Sequence, residues 1–286
     1  GGAVRDSILG RPIHDYDITT SATPDEMMEV FKDKRIIETG LQHGTITILI
    51  DGEGYECTTY RIDGNYSDSR RPDSVTFTRN LKEDLKRRDF TINAMAYNDE
   101  IGLIDPFNGM EDIKYHKIRC VGRAEDRFSE DALRILRAIR FASQLGFVLE
   151  PDTDWNISKM YKNLENISIE RINSEFCKIA ASSDFCVQMV LYHEVFSLFI
   201  PEIKDMLGFQ QNNPYHIYDV WNHTVHAVQA YECDYEPDLN PRDLITSLAV
   251  FFHDIGKPHC YQDGEDGIRH FKGHGRVSAD MTNEIM

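Results

Sequence analysis

GGAVRDSILGRPIHDYDITT, residues 1–20, sets a glycine doublet and Arg5 ahead of two acids, Asp15 and Asp17, that stand one residue apart. Side chains alternate faces along a strand, so a short strand here would point both carboxylates the same way, where they can share divalent ions. Such oxygen ligands suit Mg²⁺, which keeps several waters and completes its shell with substrate phosphates. Gly1 and Gly2 let the backbone approach an anion closely and offer it N–H groups, and Arg5 adds a charged fork for phosphate. Together these residues read as a nucleoside triphosphate site. A glycine doublet of this kind is expected to follow a strand, so a missing N-terminal segment is expected as well.

Around this stretch the pattern is that of a small sheet with helices. Thr23-Pro24-Asp25-Glu26 predicts a helix start, with Thr as cap, Pro in the first turn and acids beside it. Met27, Val30 and Phe31 supply the apolar stripe. Thr45–Ile50 (TITILI) alternates and is β-branched, Asp51-Gly52-Glu53-Gly54 makes a turn, and Tyr55–Arg61 returns as the second strand of a hairpin. Residues from Ile62 to Asp73 are rich in Gly, Asn, Ser, Asp and Arg and read as a loop. LKEDLKRRDFTINAMAY, residues 81–97, places basic residues before an acid, with apolar residues at Leu81, Leu85, Ile92 and Met95; Ile104–Gly109 is a turn.

SEDALRILRAIRF, residues 129–141, predicts a helix capped by Ser129, with Glu130 and Asp131 in its first turn and Leu133, Leu136 and Ile139 on its buried face. Asp131, Arg134, Arg137 and Arg140 recur every third residue and would form one slowly winding stripe. A carboxylate accepts a hydrogen bond from an exocyclic amine and an arginine donates to a ring acceptor. That pair suits cytosine and adenine and rejects uracil and guanine, whose keto groups would face the carboxylate.

The patterns GGxVRDxxLGRPxxDxDIxT, RRDFTxNA and EDxxR occur here in the order found in class II tRNA nucleotidyltransferases and bacterial poly(A) polymerases, within the polymerase-beta superfamily, and the first two thirds of the chain resemble that group. The resemblance implies an α+β nucleotidyltransferase head with a small mixed sheet over residues 1–120. It also implies an all-α neck that selects nucleotides and binds RNA over 121–207, where ERINSEF (residues 170–176) resembles a structural element of the neck. Asp15 and Asp17 would hold two Mg²⁺ ions, with Glu56 as the third acid on the adjoining strand. Gly2, Arg5 and Arg88 would meet phosphates, and Asp89 and Asn93 would lie near the ribose. Asp131 and Arg134 would read the base, supported by Arg137 and Arg140. The 62–73 loop would influence which nucleotide is added. The implied reaction is addition of C and A from CTP and ATP to a tRNA 3′ end without a nucleic acid template; poly(A) synthesis and CC-only or A-only addition share all three motifs.

Residues 208–286 form a third region that holds most of the chain's 11 histidines. AVFFHDIGKP resembles the HD metal-dependent phosphohydrolase family, which implies an all-α domain, here expected to be truncated. His223, in NHTVHAV, would be the first metal ligand, and His253 and Asp254 the pair that follows. Clustered imidazoles with a carboxylate suit a transition metal. His274 is a candidate for a substrate phosphate or a second metal, and Asp280 for the last ligand. An HD phosphohydrolase acting on RNA ends or nucleotides is the alternative reading of another class.

Composition is consistent with these readings and narrows the rest. The chain has 286 residues, 41% of them hydrophobic, and no apolar run approaches the ~18 residues of a membrane helix, so a soluble protein without a membrane partner is expected. Six cysteines without a Cys-x-x-Cys pair argue against a zinc ribbon or a disulfide framework and favour a reduced, cytoplasmic setting. A net charge of -17 restricts RNA contact to places where basic residues are concentrated, such as Arg79–Arg88 and Arg134–Arg140.

Overall fold

The computed structural model describes residues 1–13, 15–64, 66, 72–234 and 243–286. Much of the expected 62–73 loop, residues 65 and 67–71, therefore lies outside the described residues. The chain divides into two compact units, residues 1–134 with 148–160, and residues 135–147 with 161–286.

The first unit opens with helix α1 (Gly2–Ile8), strand β1 (Ile18–Thr20), helix α2 (Pro24–Val30), and strands β2 (Arg35–Gly40), β3 (Thr45–Ile50) and β4 (Glu53–Thr59). The sheet order is β1-β4-β3-β2, with β1 parallel to β4 and the other pairs antiparallel. The expected hairpin forms because Asp51 and Gly52 both take positive φ, 53° and 89°, which matches the twist of the flanking strands. Thr23 caps α2 as expected: its hydroxyl accepts from Glu26 N, and the Glu26 carboxylate accepts from Thr23 N at 2.8 Å. Met27, Ile46, Ile48 and Cys57 bury the face between α2 and the sheet.

Beyond the sheet lie strands β5 (Arg61–Asp63) and β6 (Val75–Phe77) and helix α3 (Leu81–Lys86), which stops just before the two arginines. A 3₁₀ turn over Thr91–Asn93, strands β7 (Ala96–Asn98) and β8 (Gly102–Ile104), helix α4 (Gly109–Lys114) and strand β9 (Lys117–Ile118) follow. Leu85, Phe90, Ile92, Ala94 and Met95 are fully buried here.

The continuous helix expected over 129–141 is not continuous. Helix α5 (Ala124–Glu130) ends at Asp131, whose backbone is extended (φ -144°, ψ 105°), and helix α6 (Leu133–Leu145) starts afresh. Ser129 is no cap, since its hydroxyl donates to Glu125 O inside α5. Asp131 takes that role: its carboxylate accepts from Leu133 N at 3.1 Å and its carbonyl from Arg134 N. Strand β10 (Val148–Leu149) and helix α7 (Pro151–Met160) complete the unit.

The second unit is mainly helical, with α8 (Ile169–Ala180), α9 (Phe185–Phe196), α10 (Ile203–Met206), α11 (Val220–Cys233) and α12 (Leu244–Phe252), a small hairpin of β11 (Gln262–Asp263) and β12 (Arg269–His270), and α13 (His274–Ile285). Phe176 sits at its centre, edge-on to Phe185, Phe196, Phe199 and Phe251 at centroid distances of 5.5–6.0 Å. No described helix is long and apolar enough to cross a membrane.

Candidate active site

Asp15 and Asp17 are exposed and lie in the segment just before β1, not within it. The pairing of Ile18 with Cys57 puts Asp17 one residue before the sheet and level with Glu56 on β4. Cys57 and Ile46 are buried on the opposite face, so Glu56, paired with Thr47, faces out and is exposed. The three acids do not form a tight cluster of ligand atoms; among the described residues the one such group is His223, His253 and Asp254.

Gly1 caps α1, and a Cβ there would sit 2.9 Å from Arg88 Nη1 and 4.0 Å from Asp17 Oδ2. The glycine therefore leaves room for the Arg88 guanidinium next to an acid of the site. Arg5 is buried on α1, and its Nη1 donates to Asn93 Oδ1 at 2.6 Å while Nε and Nη2 grip Asp6. Asn93 Nδ2 in turn donates to Asp89 Oδ1 at 3.1 Å, which also accepts from Phe90 N. Arg5, Asn93 and Asp89 thus form one buried chain joining the glycine helix to the RRDFTIN segment, and Arg88 stands at its open end.

Asp131 and Arg134 come together at the break between α5 and α6. Glu130 binds both Arg127 and Arg134, whose donors also reach backbone carbonyls: Arg127 Nη1 meets Lys86 O and Arg134 Nη2 meets Arg87 O, each at 3.0 Å. Two guanidiniums so placed complement the carbonyl end of α3, directly ahead of Arg88. Arg137 and Arg140 belong to the second unit. Arg140 is buried, donates to Glu175 Oε2 at 2.6 Å and to Gln144, and stacks its guanidinium 4.0 Å from the Phe141 ring centroid. The expected four-residue stripe is therefore divided, because Asp131 is outside the helix and Arg140 turns inward to a carboxylate.

In the second unit, four side chains converge on the buried carboxylate of Asp254. His223 Nε2 lies 3.4 Å and His253 Nε2 3.1 Å from Oδ2, Lys257 Nζ lies 2.7 Å from the same oxygen, and His274 Nε2 lies 3.3 Å from Oδ1. Lys257 is itself buried and donates to Gln211 Oε1 at 2.7 Å. His253 Nδ1 and His274 Nδ1 each sit 2.7 Å from a backbone carbonyl, of Val250 and Phe271. A carbonyl only accepts, so Nδ1 carries the proton and Nε2 turns its lone pair toward Asp254 in the neutral ring. Among the described residues Asp254 Oδ2 accepts no well-aligned hydrogen bond. The oxygen is charge-paired with Lys257, and a cation held by the His253 Nε2 lone pair and this carboxylate would share it with the ammonium. Burial pushes the Asp254 carboxyl up, but His253 and Lys257 beside it hold it far below the usual carboxylate range; burial holds His223 below the ordinary imidazole value. His216 adds a ring 5.3 Å from that of His223. Asp280, expected as a further ligand, does not join the group: it is exposed and lies 3.8 Å from Arg276.

Sequence reasoning passed over three residues. Asp84, fully buried beside Arg87 and Arg88, was signalled by its spacing of three and four before them on a helix. Lys257 lies three residues after Asp254 and was visible in HDIGK, whereas no local pattern marked Gln211.

Comparison with known proteins bears on these arrangements. Residues 1–119 match the poly A polymerase head domain, and residues 146–207 match the probable RNA and SrmB-binding site of polymerase A. The crystal structure of Bacillus stearothermophilus CCA-adding enzyme in complex with CTP is 32% identical, covers 99% of this chain and 76% of its own, and superposes with a TM-score of 0.62. The chain belongs to the CCA-adding enzyme family. Within that family, the CCA-adding enzyme of Lactobacillus johnsonii is 54% identical over 193 residues, 67% of this chain and 48% of that protein. The chain spans about half the length of the curated relatives it matches. A tRNA nucleotidyltransferase complexed with a primer tRNA and an incoming ATP analog is 25% identical, covers 88% of this chain and 70% of its own, and has a TM-score of 0.62. The mixed α/β first region and the helical remainder are those of the family.

Proposed function

We propose that the chain carries the nucleotidyl-transfer centre of a CCA-adding enzyme, which adds C and A from CTP and ATP to a tRNA 3′ end in the cytoplasm. The observation that carries this reading is the approach of Arg88 and Asp17 at Gly1, with Arg5, Asn93 and Asp89 locked behind them. The solved relatives that hold CTP, or a primer tRNA with an ATP analog, support the choice of substrates. The exposed oxygen donors Asp15, Asp17 and Glu56 fit Mg²⁺. Two bound ions would lower the charge on the triphosphate and activate the RNA 3′-hydroxyl. Asp15 and Asp17 orient those ions, Gly2 and Arg88 meet phosphate oxygens, and Arg5 holds Asn93 and Asp89 toward the ribose. Asp131 and Arg134 choose C or A by accepting from the amine and donating to the ring acceptor, while Arg137 and Arg140 support the segment. Incorporation of labelled CMP tests the centre. Asp15→Ala and Asp17→Ala are each expected to reduce it by about 10³-fold or more, as loss of an electrostatic anchor at the reacting phosphate does; near-normal rates in both would overturn the assignment.

A second reading concerns the second unit, and the convergence on Asp254 Oδ2 favours it. His223, His253 and Asp254 are proposed to bind one divalent transition metal in an HD-type site. Their donors suit such an ion, and the carbonyl-bound Nδ1 of His253 fixes the tautomer that leaves Nε2 free to coordinate. Calorimetric titration with Mn²⁺ or Ni²⁺ is expected to show one saturable site that His253→Ala removes and Asp17→Ala leaves intact. No saturable binding in the unaltered protein would contradict it.

A further inference from the structure

Arg61, Arg87 and Arg88 bring three guanidiniums close to two acids, Asp63 and Asp84, and both acids are almost wholly withdrawn from water. Asp63 serves Arg61 at 3.1 Å and Arg87 at 3.6 Å. Asp84 spends one oxygen completely: Oδ1 accepts from Arg61 N at 3.2 Å and from Arg87 Nε at 3.0 Å, with Arg87 Nη2 at 2.9 Å. Its other oxygen, Oδ2, accepts no hydrogen bond among the described residues, and Arg88 Nη2 stands 3.7 Å away. Arg88 Nε is buried and likewise makes no hydrogen bond among the described residues. A buried carboxylate with an idle oxygen carries a large desolvation cost, which its field on nearby cations must offset. The idle oxygen faces the guanidinium whose other end, Nη1, abuts Gly1.

We infer that Asp84 is a positioning residue for the incoming nucleotide: it holds the Arg88 guanidinium toward Gly1, where the triphosphate binds. Asp84 touches no substrate and acts through Arg88, whose loose 3.7 Å contact leaves its donors available to phosphate. Like-charge repulsion from Arg87 and Arg61 is offset by Asp63 and Asp84, which lowers the cost of holding the Arg88 guanidinium beside them. This inference rests on the proposed role of Arg88 at the triphosphate.

The test is a double-mutant cycle on the full chain, read as CTP and cytidine affinities by calorimetry together with KM and kcat for CTP and ATP. Asp84→Asn keeps the acceptor for Arg61 N and Arg87 but removes the charge facing Arg88. It is expected to weaken CTP binding and raise both KM values about tenfold, the size of one charge-assisted contact, with kcat nearly unchanged. Cytidine, which lacks phosphates, is expected to bind equally to both proteins, a pattern that a merely structural role would not produce. In an Arg88→Ala background the same substitution should change CTP affinity less than twofold. Asp84→Glu, which keeps the charge and shifts it by one methylene, should give a smaller loss of the same kind and is read where Asp84→Asn does not fold. Additive losses in the double mutant, or equal losses for CTP and cytidine, would overturn the positioning role. Arg88→Ala without effect on CTP would instead overturn the reading of Arg88 itself.

Discussion

Burial alone would push the Glu175 carboxyl up, but the guanidinium of Arg140 and the ammonium of Lys178 hold it below the usual carboxylate range. The folded protein therefore releases this proton more readily than the unfolded chain. The resulting stability is fully present above the unfolded carboxyl value of about 4.3 and is lost as pH falls through the lower folded value. Urea unfolding followed from pH 6 down to pH 3 should show a steep acid loss in the unaltered protein and a shallower one in Glu175→Gln. Glu175→Ala leaves a buried guanidinium without its main counter-charge and is expected to cost about 3 kcal/mol or more at pH 7. A change below about 0.5 kcal/mol, the range of ordinary surface substitutions, would show that the pair is not coupled. Glu175 lies in ERINSEF, and neither its burial nor its partner can be read from that segment, because Arg140 is 35 residues away in sequence.

At the scale of elements, most of the first unit was legible. Capping at Thr23, alternation over Thr45–Ile50 and the Asp51-Gly52 turn are local signals, and local physics decides them. The continuous helix expected over 129–141 is interrupted where two residues, Asp131 and Ala132, leave the helix, a break that periodicity cannot register. Asp131 and Ser129 are both good caps by type, and the structure uses Asp131, whose carboxylate reaches Leu133 N. The candidate site followed the same division: residue types at Asp15, Asp17, Arg88 and His253 were readable, but the network through Arg5, Asn93 and Asp89 depends on contacts 88 residues apart. Gly109 illustrates such a long-range constraint. A Cβ there would lie 2.4 Å from the backbone oxygen of Thr91, in the turn that carries Asn93. Gly109→Ala is expected to destabilise by about 1–3 kcal/mol and to raise the KM for CTP, measured by thermal unfolding and steady-state kinetics. Unchanged values of both would show that the turn adapts freely.

For the whole molecule, a net charge of -17 means that the proposed RNA partner can be met only by local basic arrangements. Arg127 and Arg134 share one acid, Glu130, at the carbonyl end of α3 ahead of Arg88, while surface cations such as Lys32 with Glu29 and Arg79 with Glu26 are each paired with an acid of their own. Affinity for RNA is therefore expected to be modest and strongly salt-dependent. The two units carry distinct chemistry, the oxygen donors of the proposed transfer centre in the first and an imidazole cluster in the second, and each proposed activity should be silenced separately by its own substitutions. The most direct measurement is extension of tRNAs ending before CCA, after C and after CC, with Mg²⁺ and CTP alone, ATP alone or both. Growth that stops at a completed CCA and disappears in Asp17→Ala is the predicted result. Long A tails, or no incorporation by the chain alone and when extended to the length of its relatives, would contradict the account.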